Sequence, residues 1–165
     1  MIRRLLPLVL PVVAAVALTS CSSLGNDAAA SVNGVELGRH ELELFTKEVF
    51  VIDTPFVQTQ FTNQVATNWI LDELIAQYLD EQGVVVDDAA RADAEAQVDS
   101  EAAGRGLELS APTREFLVRS ASLRSTFGAT QAEGALFEFA EAADIRVDSR
   151  YGRWVLDAGS VLPLG

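Results

Sequence analysis

The segment from Phe61 to Gln82 constrains the fold more than any other stretch of the chain. Phe61, Val65, Trp69, Leu71, Leu74, Ile75, Tyr78 and Leu79 recur at helical spacing and cover a broad apolar face. Gly83 follows as a C-cap. At 1.5 Å per residue this helix is about 33 Å long, enough to cross a small domain. Whatever else folds must pack around it, and most of what remains is also helical. The expected class is therefore mostly α.

From Arg39 the pattern is again helical, with Gly38 as N-cap and Leu42, Phe45 and Val49 on one face. Pro55 disfavours helical geometry at Thr54, so Val51 to Pro55 is predicted to break the run. Asp87 and Asp88 cap an alanine-rich helix over 89–103, half exposed and acidic, that ends at Gly104-Arg105-Gly106. Ser110 to Thr113 opens another helix, with Phe116, Leu117, Ser120, Leu123 and Phe127 as its stripe and Gly128 as its end. Thr130-Gln131-Ala132-Glu133 fits a capping box. Leu136, Phe137, Ala140 and Ala143 then form the inner face of a last helix. Strands are short. Asn33-Gly34 lies between Ala30-Ser31-Val32 and Val35-Glu36-Leu37, a hairpin signal because both turn residues tolerate positive φ. Ile145-Arg146-Val147 alternates like a strand.

The N-terminus reads as an export signal. Arg3 and Arg4 supply a positive n-region, and Leu5 to Leu18 is an uncharged run too short to span a membrane comfortably. Leu18-Thr19-Ser20-Cys21 then resembles the lipobox of bacterial lipoproteins. In such a box the Cys21 thiol accepts lipid, and the diacylated cysteine becomes the new N-terminus. The organisation expected is a signal peptide over 1–20, a flexible tether over 21–29, a helical domain over 30–154 and an extended tail over 155–165. The location expected is the extracytoplasmic face of the cell membrane, with the protein anchored by lipid on Cys21.

Charge narrows the function classes. The chain carries 24 acidic and 12 basic residues, two of them in the signal. Such a surface repels nucleic acid and anionic headgroups, so nucleic-acid binding is excluded and membrane residence must come from acyl chains. Cys21 is the only cysteine and His40 the only histidine, which leaves too few soft ligands for a zinc site. No Gly-x-Ser-x-Gly turn accompanies His40, and there is no dinucleotide fingerprint or P-loop. Asp87, Asp88, Asp93, Glu95, Asp99 and Glu101 crowd one segment without calcium-loop spacing and read as a solvated helix face. No catalytic residue, metal ligand or cofactor is assigned, although carboxylates are numerous enough to leave a carboxylate-pair hydrolase open.

The order of elements carries a resemblance. A segment Ala30-Ser31-Val32-Asn33-Gly34-Val35-Glu36-Leu37 opens the domain, Leu71 to Val84 lies at its centre, and Arg150-Tyr151-Gly152-Arg153-Trp154 closes it. Behind a lipobox, this order resembles the N-terminal domain of SurA-type and PrsA-type extracytoplasmic chaperones, in an actinobacterial-like lipoprotein form. The resemblance implies a helical domain in which a short strand pair joins the N- and C-terminal ends. It also implies binding of unfolded or partly folded exported polypeptides. The family's foldase members carry a parvulin-type prolyl isomerase domain, for which this chain has no matching segment, so the expected activity is non-catalytic. Ser149 stands where the related lipoproteins often have proline.

Phe50, Ile52, Phe56 and Val57 flank Pro55 in what reads as a loop, where apolar side chains are hard to bury. They are the candidate peptide-binding residues. The alternative is a structural module for one specific cell-envelope protein. The end strands could also pair between two chains, giving a strand-swapped homodimer.

Overall fold

The structure is a computed structural model that describes the backbone of residues 24–50, 55–130 and 132–164, and the side chains of all of these except 55–59 and 133. Elements follow in the order β1 (Ala28–Val32), β2 (Val35–Gly38), α1 (Arg39–Val49), α2 (Pro55–Glu81), α3 (Asp88–Arg105), α4 (Ala111–Thr130), α5 (Glu133–Ala142), β3 (Ile145–Val147), β4 (Arg153–Val155) and β5 (Ser160–Leu162). The protein is mostly helical, with two small antiparallel sheets ordered β2-β1-β3 and β4-β5. Among the described residues no helix is long and apolar enough to cross a membrane.

Strand β1 is the middle of its sheet and all five of its residues are buried. Three of them are alanines, which lets α2 approach closely from one side. The Asn33-Gly34 turn has φ of 50° and 88°, the pair of positive values a tight hairpin needs. On its other edge β1 pairs with β3, Ala30 opposite Val147 and Val32 opposite Ile145. The two ends of the domain are thus joined by a strand pair within one chain. Asn33 locks the junction. Its Oδ1 accepts from the Asp144 N–H at 2.8 Å and its Nδ2 donates to Gln77 of α2 at 2.7 Å.

The tether is shorter than expected. Ala28 and Ala29 belong to β1, and the Gly25 N–H donates to Glu36 at 3.1 Å. Cys21 lies outside the described residues.

Helix α2 is the core helix, and it begins six residues earlier than its periodicity predicts. Pro55 occupies the first helical position, where its missing N–H and fixed φ fit a helix start, so the proline opens α2 instead of sitting in a loop. Val65, Ala66, Trp69, Ile70 and Leu74 bury against β1, α1 and the C-terminal segment. Ile75 and Leu79 meet Leu123 and Phe127 of α4. Asp72 and Glu73 are buried too, and their carboxylates bond Arg124 at 2.9 Å and Arg119 at 2.8 Å across the α2–α4 contact.

Helix α1 buries Leu42, Phe45 and Thr46, with Thr46 in the place expected of half-buried Val49. Phe45 stacks on Phe116 of α4 with centroids 4.6 Å apart. Asp87 caps α3 through the Ala90 N–H, and the helix runs two residues past Ala103 to Arg105, where Gly106, at φ 65°, ends it as expected. Helix α3 lies mainly on α4 through Ala94, Val98 and Val118 and is otherwise exposed. Helix α4 runs through Gly128 to Thr130. The Thr130 hydroxyl donates back to the Phe127 carbonyl, so it does not cap α5, whose N-cap is Ala132 without a side-chain bond. Thr130 is therefore not the N-cap that the expected capping box requires. The inner face of α5 is Leu136, Phe139 and Ala140, while Phe137 is 45% exposed.

The segment 155–165 is not a simple extended tail. Strand β4, a 3-10 turn over Leu156–Ala158 and β5 form a hairpin that returns to α2, burying Val161. Gly152 makes this return feasible. Its φ is 117°, and a Cβ there would collide with the Leu162 carbonyl.

Candidate functional site

The four apolar candidates do not form one exposed loop. Phe50 is half-buried, and its ring stacks on Phe61 of α2 with centroids 4.1 Å apart and planes 17° from parallel. It seals the α1–α2 seam. Ile52 lies outside the described residues. Phe56 and Val57 are in the first turn of α2, not in a loop. By helical phase, position 56 sits one turn before Gln60 on the same side of the axis.

That side of α2 continues into a groove. Gln60, Asn63, Gln64 and Thr67, spaced i, i+3, i+4 and i+7, form one wall, and β5 with Pro163 forms the other. The groove encloses about 640 Å³ and its accessible lining is mostly apolar. Thr67 braces the two walls. Its hydroxyl donates to the Asn63 carbonyl at 2.8 Å and accepts the Val161 N–H at 2.9 Å. Gln60 and Gln64 are exposed, whereas Asn63 is only 8% exposed and its Oδ1 has no hydrogen-bond partner. No lining residue is charged.

A sequence signal marks this site, and it is not the apolar residues around Pro55. From Thr54 to Leu71 there are eighteen consecutive residues without a charge, in a chain that is 22% charged. The polar residues in that run are amides and hydroxyls, and the groove is built on them.

The titratable groups that depart from ordinary behaviour lie elsewhere. Burial pushes the Asp72 carboxyl up, against the pull of Arg124. Three hydrogen bonds from Arg150, two from its guanidinium and one from its backbone N–H, hold Asp148 down to about 2. The Asp148 N–H donates to the Ala29 carbonyl, so the Arg150-Tyr151-Gly152 turn is pinned to β1. Glu48 is raised by burial and lowered more by Thr113 and Ser110, which it joins at the start of α4. Each is a structural tie between elements. Among the described residues no three His, Cys, Asp or Glu side chains are grouped to hold a metal ion. A second cleft of about 340 Å³ lies among α1, α3 and α4, but Arg124 at its edge is already committed to Asp72 and Asn68.

Comparison with known proteins finds no matching family model, no matching curated protein and no matching solved structure.

Proposed function

We propose that this protein is a bacterial lipoprotein, anchored through acylated Cys21 on the extracytoplasmic face of the cell membrane, that binds unfolded or partly folded exported proteins without catalysing a reaction. It acts as a holdase or an accessory to a folding machine, in the manner of SurA-type and PrsA-type chaperones. The observation that carries this reading is the open, mostly apolar, uncharged groove between α2 and β5 on an otherwise acidic chain. Grooves of that character suit extended polypeptide. Two measurements test the reading. The full chain, purified in mild detergent, should suppress aggregation of a chemically unfolded exported protein at a few-fold excess. Metabolic labelling with a palmitate analogue should mark the parent chain and leave the Cys21→Ser variant unmarked. Absence of suppression at several-fold excess refutes client binding, and a parent chain that takes up no label refutes the anchor.

A second reading is a module for one specific cell-envelope protein. The small size of the groove favours it, since about 640 Å³ accommodates a single short segment. A crosslinking pull-down that returns one stoichiometric partner, with no spread of clients, would select it.

A further inference from the structure

We propose that the α2–β5 groove takes a short, uncharged, extended peptide segment and grips it chiefly by its backbone. This rests on the client-binding reading and narrows it to one ligand class. Gln60, Asn63 and Gln64 place three amide side chains along one wall. Each amide offers both a donor and an acceptor, which is what a peptide bond also offers, so such a ladder pairs with a backbone whatever its side chains. Asn63 is the clearest sign of a missing partner. It is nine-tenths buried with Oδ1 unpaired and closed to solvent, so a peptide N–H satisfies it once the amide turns toward the groove it lines.

The neighbouring strand does not do the gripping. The outward N–H of Val161 is already taken by Thr67, so an incoming segment cannot extend the β4–β5 sheet through that group. Recognition falls to the amides. Charge sets the preference. The lining holds no cation to meet an acidic side chain and no anion to meet a basic one, and either charge would lose hydration without repayment. The chain's net charge of −12 adds repulsion against acidic segments. Length sets the footprint. The wall from Gln60 to Thr67 rises about 10 Å, which an extended chain covers in about three residues.

Fluorescence polarisation on the full chain in mild detergent tests this. The probes are a labelled hexapeptide of alternating valine and serine, its backbone N-methylated twin, and a twin carrying two aspartates. The parent peptide should bind, and each twin should bind at least about tenfold more weakly. The double variant Gln60→Leu/Gln64→Leu should weaken the parent peptide about tenfold, with an unchanged thermal midpoint because both side chains are exposed. A purely greasy groove predicts the opposite sign, since leucine adds apolar surface. Equal binding of the N-methylated twin, or tighter binding by the double variant, overturns the backbone ladder. If the double variant then still protects an unfolded client as the parent does, client binding stands without the ladder. If the parent chain binds neither peptide nor client, both fall together.

Discussion

Replacing Arg124 with leucine probes how the helical half of the molecule is fastened. Asp72 is 1% exposed, and its Oδ1 receives the Arg124 Nε–H at 2.9 Å. Removing one partner of a buried pair costs about 3–5 kcal/mol, because the remaining charge is stranded. Two features place this case near the lower bound. The Arg124 side chain is 45% exposed, which screens the attraction, and Arg119 also lowers the Asp72 pKa. We therefore expect a loss of about 3 kcal/mol at pH 7, and a thermal midpoint lower by about 10 °C for a chain of this size. The double variant Asp72→Leu/Arg124→Leu should return to within about 1 kcal/mol of the parent, since no charge is left buried.

The pH dependence has a definite sign. Burial already raises Asp72 above 3.8 in the folded state, so the stability tied to it is greatest at low pH and is lost as pH rises through the folded value. Without Arg124 that value rises further, and the loss extends to higher pH. Urea unfolding of the single variant at pH 4 and pH 7 should show a smaller deficit at pH 4, whereas the double variant, which has lost this titration, should show a deficit no larger at pH 7 than at pH 4. A single variant as stable as the parent at pH 7 would mean that water reaches Asp72, and the closed α2–α4 contact would be wrong.

Three further outcomes follow from other ties. Gly152→Ala should cost about 2–4 kcal/mol in urea unfolding, because its φ of 117° and the nearby Leu162 carbonyl leave no place for a Cβ. Phe137→Ser should change stability by less than about 0.5 kcal/mol, whereas Phe139→Ser, at the T-shaped contact with Tyr78, should cost at least about 1 kcal/mol; equal losses would restore the α5 face expected from sequence. Asp148→Asn should cost about 1 kcal/mol above pH 4 and almost nothing below pH 2, since the folded carboxyl titrates near 2 instead of 3.8 and most of its tie to Arg150 is screened.

The elements most legible in the sequence are those whose signal is local. The Asn33-Gly34 turn needs positive φ at two adjacent residues, and few other pairs supply it. The apolar face of α2 repeats over several turns, and Gly83 and Gly106 end their helices through backbone geometry that no neighbour can override. Errors cluster where a residue has two plausible uses. Pro55 can break a helix or open one, and the Gln58-Thr59-Gln60 run after it carries no periodicity to decide between them. Thr130 can cap the next helix or finish the last one. It finishes α4 because its hydroxyl reaches Phe127, one turn back. Stripe reading also presumes one buried face. Helix α4 has two, with Val118 toward α3 and Leu123 and Phe127 toward α2, so a single stripe cannot describe it.

The groove is hidden in the sequence for a related reason. Exposed apolar residues in a loop mark only surfaces that are already hydrophobic in sequence. Of the apolar residues that flank the proline, Phe50 is spent on structure, stacked on Phe61. Four polar residues of α2, Gln60, Asn63, Gln64 and Thr67, instead line the opening, and two of them are buried or braced, Asn63 by its environment and Thr67 by β5. Position along the chain hides this arrangement, because β5 lies 94 residues after Thr67 and contributes the other wall only once the C-terminal hairpin has folded back. An uncharged run of eighteen residues in a strongly acidic chain is the trace that such a wall leaves in sequence. Selection for solubility alone would place charges on the exposed positions Gln60 and Gln64. Their neutrality fits a surface whose partner must shed its water to bind, since a charge at either position would be desolvated without a counter-ion.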